Sequence, residues 1–465
     1  MRECTIIIFG ASGNLSKRKI FPALYQLIKK KQLNKLQVIG VALEKLTVSQ
    51  LLETIKPFIA DFDEETWKEL IHITHYQQLD LTNEKEFELL VELIQTVETQ
   101  QVMNGNRLLY CAVPSNLFAD ITKHSYQAGI IEKQSSGDKK PWQRIVYEKP
   151  FGNSYDSAKK LNEILHTYLD ENQVYRIDHY LAKELVANIA LVRFTNRMFE
   201  PQWNNRDIAS VEIILNETLD VSDRGAYYDQ TGALRDITQN HLLELLALVA
   251  MEAPKTLTGA DLQEQRAQVL KKTHFDNGLL GQYEGYQAIS TVKSNSKTET
   301  FAALTLLVDN ERWHGVPFYV TTGKCLAKKE KVIHLNFKPE PCRLTEGCPL
   351  PANRLTISIT PDAGFSLTLN AKKPNTIMKI IPVKMEFCHE CLFGVYTPQS
   401  YEVIIQEIID GDQGLSVRFD EIEASWRIID QIYQAKLPVY TYQKGSNGPK
   451  ELADFEAKNK MRFPI

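Results

Sequence analysis

The chain has 465 residues, of which 43% are hydrophobic and 24% are charged, and its formal net charge is −4. This composition is typical of a globular protein with two or three domains. The nearly balanced charge disfavours binding to nucleic acid or to an anionic membrane through a field of the whole chain. An anionic ligand would therefore be bound by local clusters of lysine, arginine and histidine.

Neither a targeting segment nor a membrane span is predicted. Strand-like sequence begins at about Thr5, which leaves no room for a signal peptide, so we expect a cytoplasmic protein. The most apolar window, HLLELLALVAM at 241–251, contains Glu244 and is much shorter than the roughly 20 residues that a membrane span requires. It predicts a buried helix.

The cysteines do not indicate a secreted disulfide framework, because they are seven in number and widely scattered. Cys388 and Cys391 form a CxxC pair, which together with Cys342 and Cys348 would supply the ligands of a four-thiolate zinc site. The five residues between Cys342 and Cys348 are a longer spacing than zinc knuckles use. We therefore expect no metal site.

Short β-branched segments alternate with helical segments up to about residue 175. The expected strands are TIIIFG, LQVIGVAL, RLLYCAVP and QRIVYEKP, and the expected helices lie at 16–33, 48–60, 116–130 and 154–170. This alternation predicts βαβ units and a parallel sheet with helices on both faces. The prediction is an α/β, Rossmann-like, NAD(P)-binding domain at residues 1–176.

The pattern changes from about residue 177. After the strand IASVEIILNE (208–217) and the apolar helix come many strand-like segments, among them TFAALTLLVDN, VPFYVTTGK, RLTISITP and FSLTLNAK. Helices return at 398–411 and 418–435. This order predicts a larger α+β domain at residues 177–465, built on a mainly antiparallel sheet.

The first expected strand ends in the turn FGASGNLSKRK, in which Gly10 and Gly13 are three residues apart and Lys17 enters a helix. Such a turn presents backbone N–H groups and the positive end of a helix dipole, which suit a phosphate. The spacing GxxGxxxK is not the GxGxxG fingerprint, and alone it is more typical of an ordinary tight bend. Its place after the first strand of a βα pattern favours a diphosphate turn.

The second expected strand ends in GVALEK, where the adenosine ribose of a dinucleotide would lie. Glu44 is suited to hydrogen-bond a ribose 2′-hydroxyl, as in NAD-binding proteins. Lys45 is suited to pair with the 2′-phosphate of NADP. The two neighbours therefore indicate different cofactors.

Two polar segments lie near the expected domain junction. In RIVYEKPFGNS, a cis bond at Pro150 would orient Lys149 toward a substrate, although a structural turn explains the proline equally well. In RIDHYLAKELVAN, a helix would place His179 and Lys183 on one face, suited to a phosphate monoester. A solvated basic face is the alternative.

A third polar segment, RDITQNHLLELLALVAM, begins the apolar helix with Asp236, Asn240 and His241. Because an unpaired buried polar group costs about 1–3 kcal/mol, these side chains need partners or a ligand. His241 is either a satisfied core histidine or, with a carboxylate partner, a general base near neutral pH. The lysines of TTGKCLAKKEK, beginning with Lys324, either form a solvated loop or close an anion site.

In their order and detail these motifs resemble the glucose-6-phosphate dehydrogenase family. The segments that carry the resemblance are GASGNLSKRKIFPALYQL, RIVYEKPFGNS, YRIDHYLAKE, QNHLLELLALVAME, FAALTLLVDNERWHGVPFYVTTGK and EASWRIIDQI. The resemblance implies oxidation of C1 of β-D-glucose 6-phosphate to 6-phosphoglucono-δ-lactone with NADP as cofactor, the first oxidative step of the pentose phosphate pathway. It also implies a homodimer or homotetramer, with the domain at residues 177–465 serving substrate binding and oligomerisation.

The resemblance implies a role for each matching residue. His241 would be the base that takes the C1 hydroxyl proton, with Asp178 as its partner in a dyad. The substrate would be bound by Lys149, His179, Tyr180, Lys183, Glu217, Asp236, Lys324 and Lys329. The cofactor would be bound by Gly10, Ala11, Ser12, Gly13, Asn14, Leu15, Ser16, Lys17, Leu43, Lys45, Asp80, Leu81 and Lys149.

A few positions depart from the pattern of that family. Asn14 and Ala182 replace an aspartate and a glycine, which are mild changes. The second strand of the family usually ends in Ala-Arg, and that arginine holds the 2′-phosphate of NADP, whereas this chain has Leu43 followed by Glu44. We therefore predict a weakened preference for NADP or real use of NAD.

Two other interpretations stay open from the sequence. One is a catalytically silent paralogue that binds sugar phosphate or nucleotide, and the other is a Rossmann oxidoreductase for another sugar. The presence of His241 and Asp178 disfavours the first. The pair His179 and Lys183, suited to a phosphate, disfavours the second.

Overall fold

The computed structural model describes residues 3–33, 35–135, 141–339, 350–376, 379–393 and 400–459. Its strands are β1 (Glu3–Phe9), β2 (Lys35–Ala42), β3 (Thr74–Gln78), β4 (Arg107–Cys111), β5 (Gln143–Glu148), β6 (Val174–Ile177), β7 (Ile208–Asn216), β8 (Thr273–Tyr283), β9 (Phe301–Val308), β10 (Pro317–Gly323), β11 (Glu330–Phe337), β12 (Arg354–Thr360), β13 (Gly364–Lys372), β14 (Ile380–Cys388) and β15 (Val439–Tyr442).

Its α-helices are α1 (Phe21–Lys29), α2 (Val48–Glu53), α3 (Glu64–Ile73), α4 (Phe87–Gln100), α5 (Phe118–Gln127), α6 (Tyr155–Tyr168), α7 (Glu184–Thr195), α8 (Gly225–Ala233), α9 (Leu243–Ala250), α10 (Gly259–Lys271), α11 (His389–Phe393), α12 (Ser400–Asp410), α13 (Phe419–Gln434) and α14 (Leu452–Lys458). Among the described residues, two segments are π-helical, Ser16–Ile20 before α1 and Leu234–Leu242 before α9.

The chain divides into two compact units. Unit 1 comprises Met1–Ala182, Thr258–Gln263 and Pro398–Ile422, and unit 2 comprises Lys183–Leu257, Glu264–Thr397 and Glu423–Ile465. The sequence-based boundary between residues 176 and 177 stays a prediction.

Unit 1 is built on a parallel sheet with the strand order β3-β2-β1-β4-β5-β6. This is the order of a dinucleotide-binding fold, in which ligands bind outside the carboxyl ends of the strands where the winding reverses, here beside β1 and β4. Along β1, Ile6 and Ile8 lie in one buried cluster, whereas Ile7 and Phe9 lie in another, because successive side chains point to opposite faces. The expected Rossmann-like fold is confirmed.

Helix α12 belongs to unit 1 although it lies more than 200 residues beyond β6 in the chain. Its residues Ile404, Ile405 and Ile408 pack in the same buried cluster as Ile6. The guanidinium of Arg144 on β5 donates a hydrogen bond of 2.8 Å to the backbone oxygen of Ile409. The alternation of strands and helices does not predict this return of the chain.

Unit 2 is built on a mixed sheet with the order β14-β13-β12-β11-β7-β10-β9-β8-β15. Strands β7 and β10 pair in parallel, as do β8 and β15, and the remaining neighbours are antiparallel. The predicted α+β fold with a mainly antiparallel sheet is confirmed. Helix α9 is buried at every position, as the apolar window predicts.

The structure also bears on the expectations about membranes and cysteines. Within the described ranges, no helix is both long enough and apolar enough to cross a bilayer. Cys388 and Cys391 form a disulfide with each other at the start of α11, so their sulfurs are not thiolates. Cys342 and Cys348 lie outside the described residues.

Candidate functional site

The turn after β1 has a close-packed backbone. Gly10 has a φ of 83°, and its N–H donates to the backbone oxygen of Val41 at 2.8 Å. A Cβ at Gly10 would lie 2.5 Å from the backbone oxygen of Ala112 on the other side. The hydroxyl of Ser16 donates to the oxygen of Gly10 at 2.8 Å and closes the turn. Glycine is therefore required at position 10 for both conformation and space.

This turn fits the diphosphate of a dinucleotide. It lies at the carboxyl end of β1, beside the point where the strand order reverses, and it leads directly into the helical segment that begins at Ser16. Ala11 is buried, whereas Asn14 is exposed. A helix amino terminus at this edge of a parallel sheet stabilises an anion.

The end of β2 is tied to the same turn through Glu44. The hydroxyl of Ser12 donates to Oε2 of Glu44 at 2.7 Å. This hydrogen bond, together with the charge of Lys17, lowers the pKa of Glu44 below its ordinary value. Leu43 and Lys45 are exposed on either side. A carboxylate therefore stands where an adenosine ribose would lie.

Asp80 and Leu81 follow β3 at the same edge of the sheet. The carboxylate of Asp80 accepts from the backbone N–H of Thr82 at 2.9 Å and from its hydroxyl at 2.8 Å. These bonds lower the pKa of Asp80. The carboxylate of Asp80 is thus used in a local turn.

The end of β5 carries Glu148 and Lys149, and the bond between Lys149 and Pro150 is cis, as considered from the sequence. Tyr110 and Tyr401 donate their hydroxyls to Oε1 of Glu148 at 2.7 and 3.2 Å. Enclosure of the carboxyl raises the pKa of Glu148 to about 7. The sequence-based site set lacks this carboxyl group beside Lys149.

The expectation that one helix spans His179 and Lys183 is wrong. The chain turns from Asp178 onward, Lys183 has an extended backbone with a ψ of 131°, and α7 begins only at Glu184. The buried carboxylate of Asp178 accepts from the N–H of Tyr180 at 2.8 Å, so it competes with helical hydrogen bonding. His179 and Lys183 therefore do not share a helix face.

Asp236 and His241 lie in the π-helical segment Leu234–Leu242, which the sequence does not predict. Both are buried, at 6% and 1% exposure. Because the hydrogen bonds of a π-helix join residues five apart, these two residues follow each other on one face of the segment. The side-chain amide of Asn240 donates to the backbone oxygen of Asp236 at 3.1 Å, and its oxygen accepts from the N–H of His241 at 2.7 Å.

Glu217 and Lys324 meet because each follows a strand of the parallel pair β7 and β10, in which Asn216 lies opposite Gly323. Nζ of Lys324 donates to Oε2 of Glu217. Nζ of Lys331 lies 3.6 Å from Oε1 of the same carboxylate. Burial opposes ionisation of Glu217, but the two lysines outweigh it and hold its pKa below the ordinary value.

Lys331 and Tyr228 are not in the site set predicted from the sequence. Lys331 pairs with Glu217, and its pKa is lowered chiefly by burial. Tyr228 is buried, and the ammonium of Lys324 lies 5.5 Å from the centre of its ring. Lys329, which is in the predicted set, is exposed. The motif TTGKCLAKKEK contains Lys331, but only the pairing of β7 with β11 brings it to Glu217.

Two family models match the chain. Residues 7–188 match "Glucose-6-phosphate dehydrogenase, NAD binding domain", and residues 190–464 match "Glucose-6-phosphate dehydrogenase, C-terminal domain". The glucose-6-phosphate 1-dehydrogenase of Bacillus subtilis is 36% identical, over 99% of this chain and 98% of the relative. That of Chlamydia pneumoniae is 35% identical, over 96% of this chain and 93% of the relative.

Solved structures give the same result. A glucose-6-phosphate dehydrogenase in complex with its substrate glucose-6-phosphate has a TM-score of 0.91 at 32% identity, over 99% of this chain and 98% of the other. The glucose-6-phosphate 1-dehydrogenase of Mycobacterium avium has a TM-score of 0.86 at 32% identity, with the same coverage. A levoglucosan dehydrogenase with NADH and levoglucosan, at a TM-score of 0.52 and 10% identity, shares the fold alone.

Proposed function

The chain belongs to the glucose-6-phosphate dehydrogenase family of oxidoreductases, and on this premise we propose that it oxidises C1 of β-D-glucose 6-phosphate to 6-phosphoglucono-δ-lactone. The observation that carries the proposal is the match to the Bacillus subtilis relative over 99% of this chain and 98% of that protein. Acceptance of a hydride from C1 is the chemistry that a bound nicotinamide dinucleotide supplies.

His241 is proposed as the base that takes the proton of the C1 hydroxyl while the C1–H electron pair leaves as hydride and the C1–O double bond forms. A neutral imidazole suits this step because histidine is the side chain whose ordinary pKa lies near neutral pH. Asp178 is proposed as its partner, since a carboxylate on the other ring nitrogen fixes the tautomer and stabilises the imidazolium. Burial of both side chains supports these roles.

The remaining polar residues are proposed to hold the substrate. His179, Tyr180 and Lys183 would bind its phosphate, and this remote binding would fix C1 against the base. The paired side chains of Glu217 and Lys324 offer an acceptor and a donor to sugar hydroxyls. The other proposed contacts with the substrate are made by Lys149, Asp236 and Lys329.

NADP+ is proposed as a cofactor, with NAD+ as a real alternative. A carboxylate hydrogen-bonds a ribose 2′-hydroxyl but repels the roughly −1.5 to −2 charge of a phosphate monoester at neutral pH. The position of Glu44 on Ser12 supports use of NAD+. The turn from Gly10 to Lys17 would hold the diphosphate. A dimeric or tetrameric state and a cytoplasmic location also stay proposals.

A spectrophotometric assay of nicotinamide reduction tests the function. The wild type is expected to turn over glucose 6-phosphate with either cofactor, and His241→Asn is expected to lose turnover while substrate binding is largely kept. Binding without turnover in the wild type would favour a silent paralogue. Faster turnover of glucose than of glucose 6-phosphate would favour an oxidoreductase for another sugar.

A further inference from the structure

The π-helical segment that carries Asp236 and His241 begins at a break in the chain. Gly232 has a φ of 62° and a ψ of −177°, so helix α8 does not continue into the segment with helical dihedral angles. The first N–H groups of a helix have no acceptors within that helix. Here the N–H of Leu234 donates back to the oxygen of Thr231 in α8, and a residue distant in sequence supplies further acceptors to Ala233 and Leu234.

That residue is Glu299, in the chain between β8 and β9. Its backbone oxygen accepts from the N–H of Ala233 at 2.9 Å. Its side-chain Oε1 accepts from the N–H of Leu234 at 3.1 Å. Glu299 is 6% exposed, so water does not readily replace either bond. One residue thus caps the start of the segment with both its backbone and its side chain.

The space around this cap is closed. A Cβ at Gly232 would lie 2.4 Å from Oε1 of Glu299, so the glycine makes room for the carboxylate. Thr298, which directly precedes Glu299, donates its hydroxyl to the backbone oxygen of Asp229 on α8 at 2.8 Å. The carboxylate therefore has little freedom to move away from the N–H of Leu234.

The next residue, Thr300, reaches the other part of the candidate site. Its backbone oxygen accepts from the N–H of Lys324 at 2.9 Å. The hydroxyl of Tyr442 contacts the hydroxyl of Thr300 at 2.9 Å and donates to the backbone oxygen of Lys324 at 2.7 Å. Residues 298–300 therefore bind the backbone before His241 and the backbone of the lysine that pairs with Glu217.

We propose that Glu299 is a positioning residue that fixes the π-helical segment bearing Asp236 and His241, an inference that rests on the proposed function. A shift of that segment would move the base relative to C1, and small errors of position cost rate rather than binding. Glu299 acts through the backbone of Ala233 and Leu234. It is therefore not itself a catalytic residue.

The charged and titratable groups around Glu299 support this role. Burial raises the pKa of Glu299 to about 7, whereas the N–H of Leu234, the charge of Arg235 and a hydrogen bond from Tyr433 lower it. The guanidinium of Arg235 also lies 4.9 Å from the ring centre of Tyr433. Tyr228 and Tyr286 are further titratable groups near Glu299, and burial together with nearby carboxylates raises their pKa values. The carboxyl is thus held among specific partners.

The test compares three substitutions. Glu299→Ala removes the side-chain acceptor of the Leu234 N–H. Glu299→Asp keeps the charge but withdraws the oxygen by one methylene, and Glu299→Gln keeps an oxygen in place. Ala and Asp are each expected to lower kcat about tenfold or more with little change in KM, whereas Gln stays within a factor of about three of the wild type. Glu284→Ala, at an exposed glutamate of unit 2, is the matched control and is expected to be unchanged.

Hydrogen–deuterium exchange of the peptide that covers 233–241 tests the positioning without any turnover. Glu299→Ala and Glu299→Asp are expected to speed the exchange of this peptide, whereas Glu299→Gln is expected to keep its exchange close to that of the wild type. The inference is overturned if Ala and Asp keep the wild-type kcat and exchange, or if Gln is as damaged as Ala. If Glu299→Ala does not fold, the comparison of Glu299→Asp with Glu299→Gln tests the inference. An inactive wild type would refute the proposed function, whereas exchange would still decide the role of Glu299.

Discussion

The hydroxyl of Ser12 donates a 2.7 Å hydrogen bond to the carboxylate of Glu44, which joins the turn after β1 to the end of β2. A side-chain hydrogen bond to the backbone supports the same corner, since the hydroxyl of Tyr76 donates to the backbone oxygen of Glu44 at 2.5 Å. The negative charge is therefore fixed against the turn and does not swing freely in solvent. In the proposed cofactor site, the adenosine ribose therefore faces a carboxylate.

Glu44→Arg is expected to shift the ratio of kcat/KM for NADP+ over NAD+ upward by about tenfold or more, since about 1.4 kcal/mol of altered charge interaction is a factor of ten. Steady-state kinetics with both cofactors measures the ratio. Glu53→Arg, at an exposed glutamate on α2, is the matched control and should leave it unchanged. A wild-type preference for NADP+ above about a hundredfold would contradict the role of Glu44.

Gly10→Ala is expected to destabilise unit 1 and weaken cofactor binding. The substitution forces a Cβ to within 2.5 Å of the backbone oxygen of Ala112 at a φ of 83°. The expected loss is about 2–4 kcal/mol in the free energy of unfolding, since strain and overlap add. Chemical denaturation and a fluorescence titration with cofactor measure the two effects.

Gly129→Ala separates the cost of the left-handed backbone conformation from the cost of steric overlap. Gly129 has a similar φ of 73°, but nothing lies within 4 Å of the position of its Cβ. Its expected cost is about 1 kcal/mol, from the left-handed conformation alone. Equal losses at the two glycines would show that the packing around Gly10 does not matter.

The parallel sheet and the order of the polar motifs could be predicted because they depend on local pattern. Ile6 to Phe9 are β-branched or aromatic, and they are buried on both faces as that pattern indicates. The π-helical segment around His241 could not be predicted, because apolar periodicity reports burial and not which hydrogen bonds the backbone makes. The same holds for the turn at Asp178, where one side-chain oxygen overrides a helical pattern.

Contacts between segments that are distant in the chain could not be predicted from the sequence, for a different reason. Lys331 meets Glu217 only because β11 pairs with β7, and Glu299 meets Leu234 across 65 residues of chain. Neither pairing leaves a periodic signal near the residues concerned. The polar segment TVKSNSKT, which ends directly before Glu299, predicts only a solvated loop.

Glu217→Gln is expected to lower the free energy of unfolding by about 1–3 kcal/mol, because it leaves Lys324 and Lys331 close together without their counter-charge. The loss should be present at neutral pH. It should disappear as the pH falls through the lowered pKa of Glu217, where the wild-type carboxylate is protonated too. Chemical denaturation over a range of pH measures it. The KM for glucose 6-phosphate is expected to rise in parallel.

Glu386→Gln is the matched control for that prediction. The side chains of Glu386 and of its partner, Lys384, are 60% and 57% exposed. A solvent-exposed pair contributes about 0–1 kcal/mol, so the expected loss is smaller. If the two substitutions cost the same, partial burial of the pair between Glu217 and Lys324 adds nothing to its strength.

Glu299→Gln is expected to change how stability depends on pH. The pKa of Glu299 is raised from 4.5 in an unfolded chain to about 7, chiefly by burial. A group with a raised pKa contributes stability below its unfolded pKa, and this contribution is lost as the pH rises through the folded value. The wild type therefore loses up to about 2–3 kcal/mol across this interval, which the neutral glutamine does not lose.

The measurement is the free energy of unfolding of Glu299→Gln minus that of the wild type, followed by chemical denaturation from about pH 4.5 to about pH 7 and above. The difference should rise with pH and then level off, because no further ionisation of Glu299 follows. Glu284→Gln, exposed in the same unit, should give a flat difference. A flat difference for Glu299→Gln as well would mean that this carboxyl does not titrate between its unfolded and raised pKa, and that its charge is already stabilised by Arg235 and the N–H of Leu234.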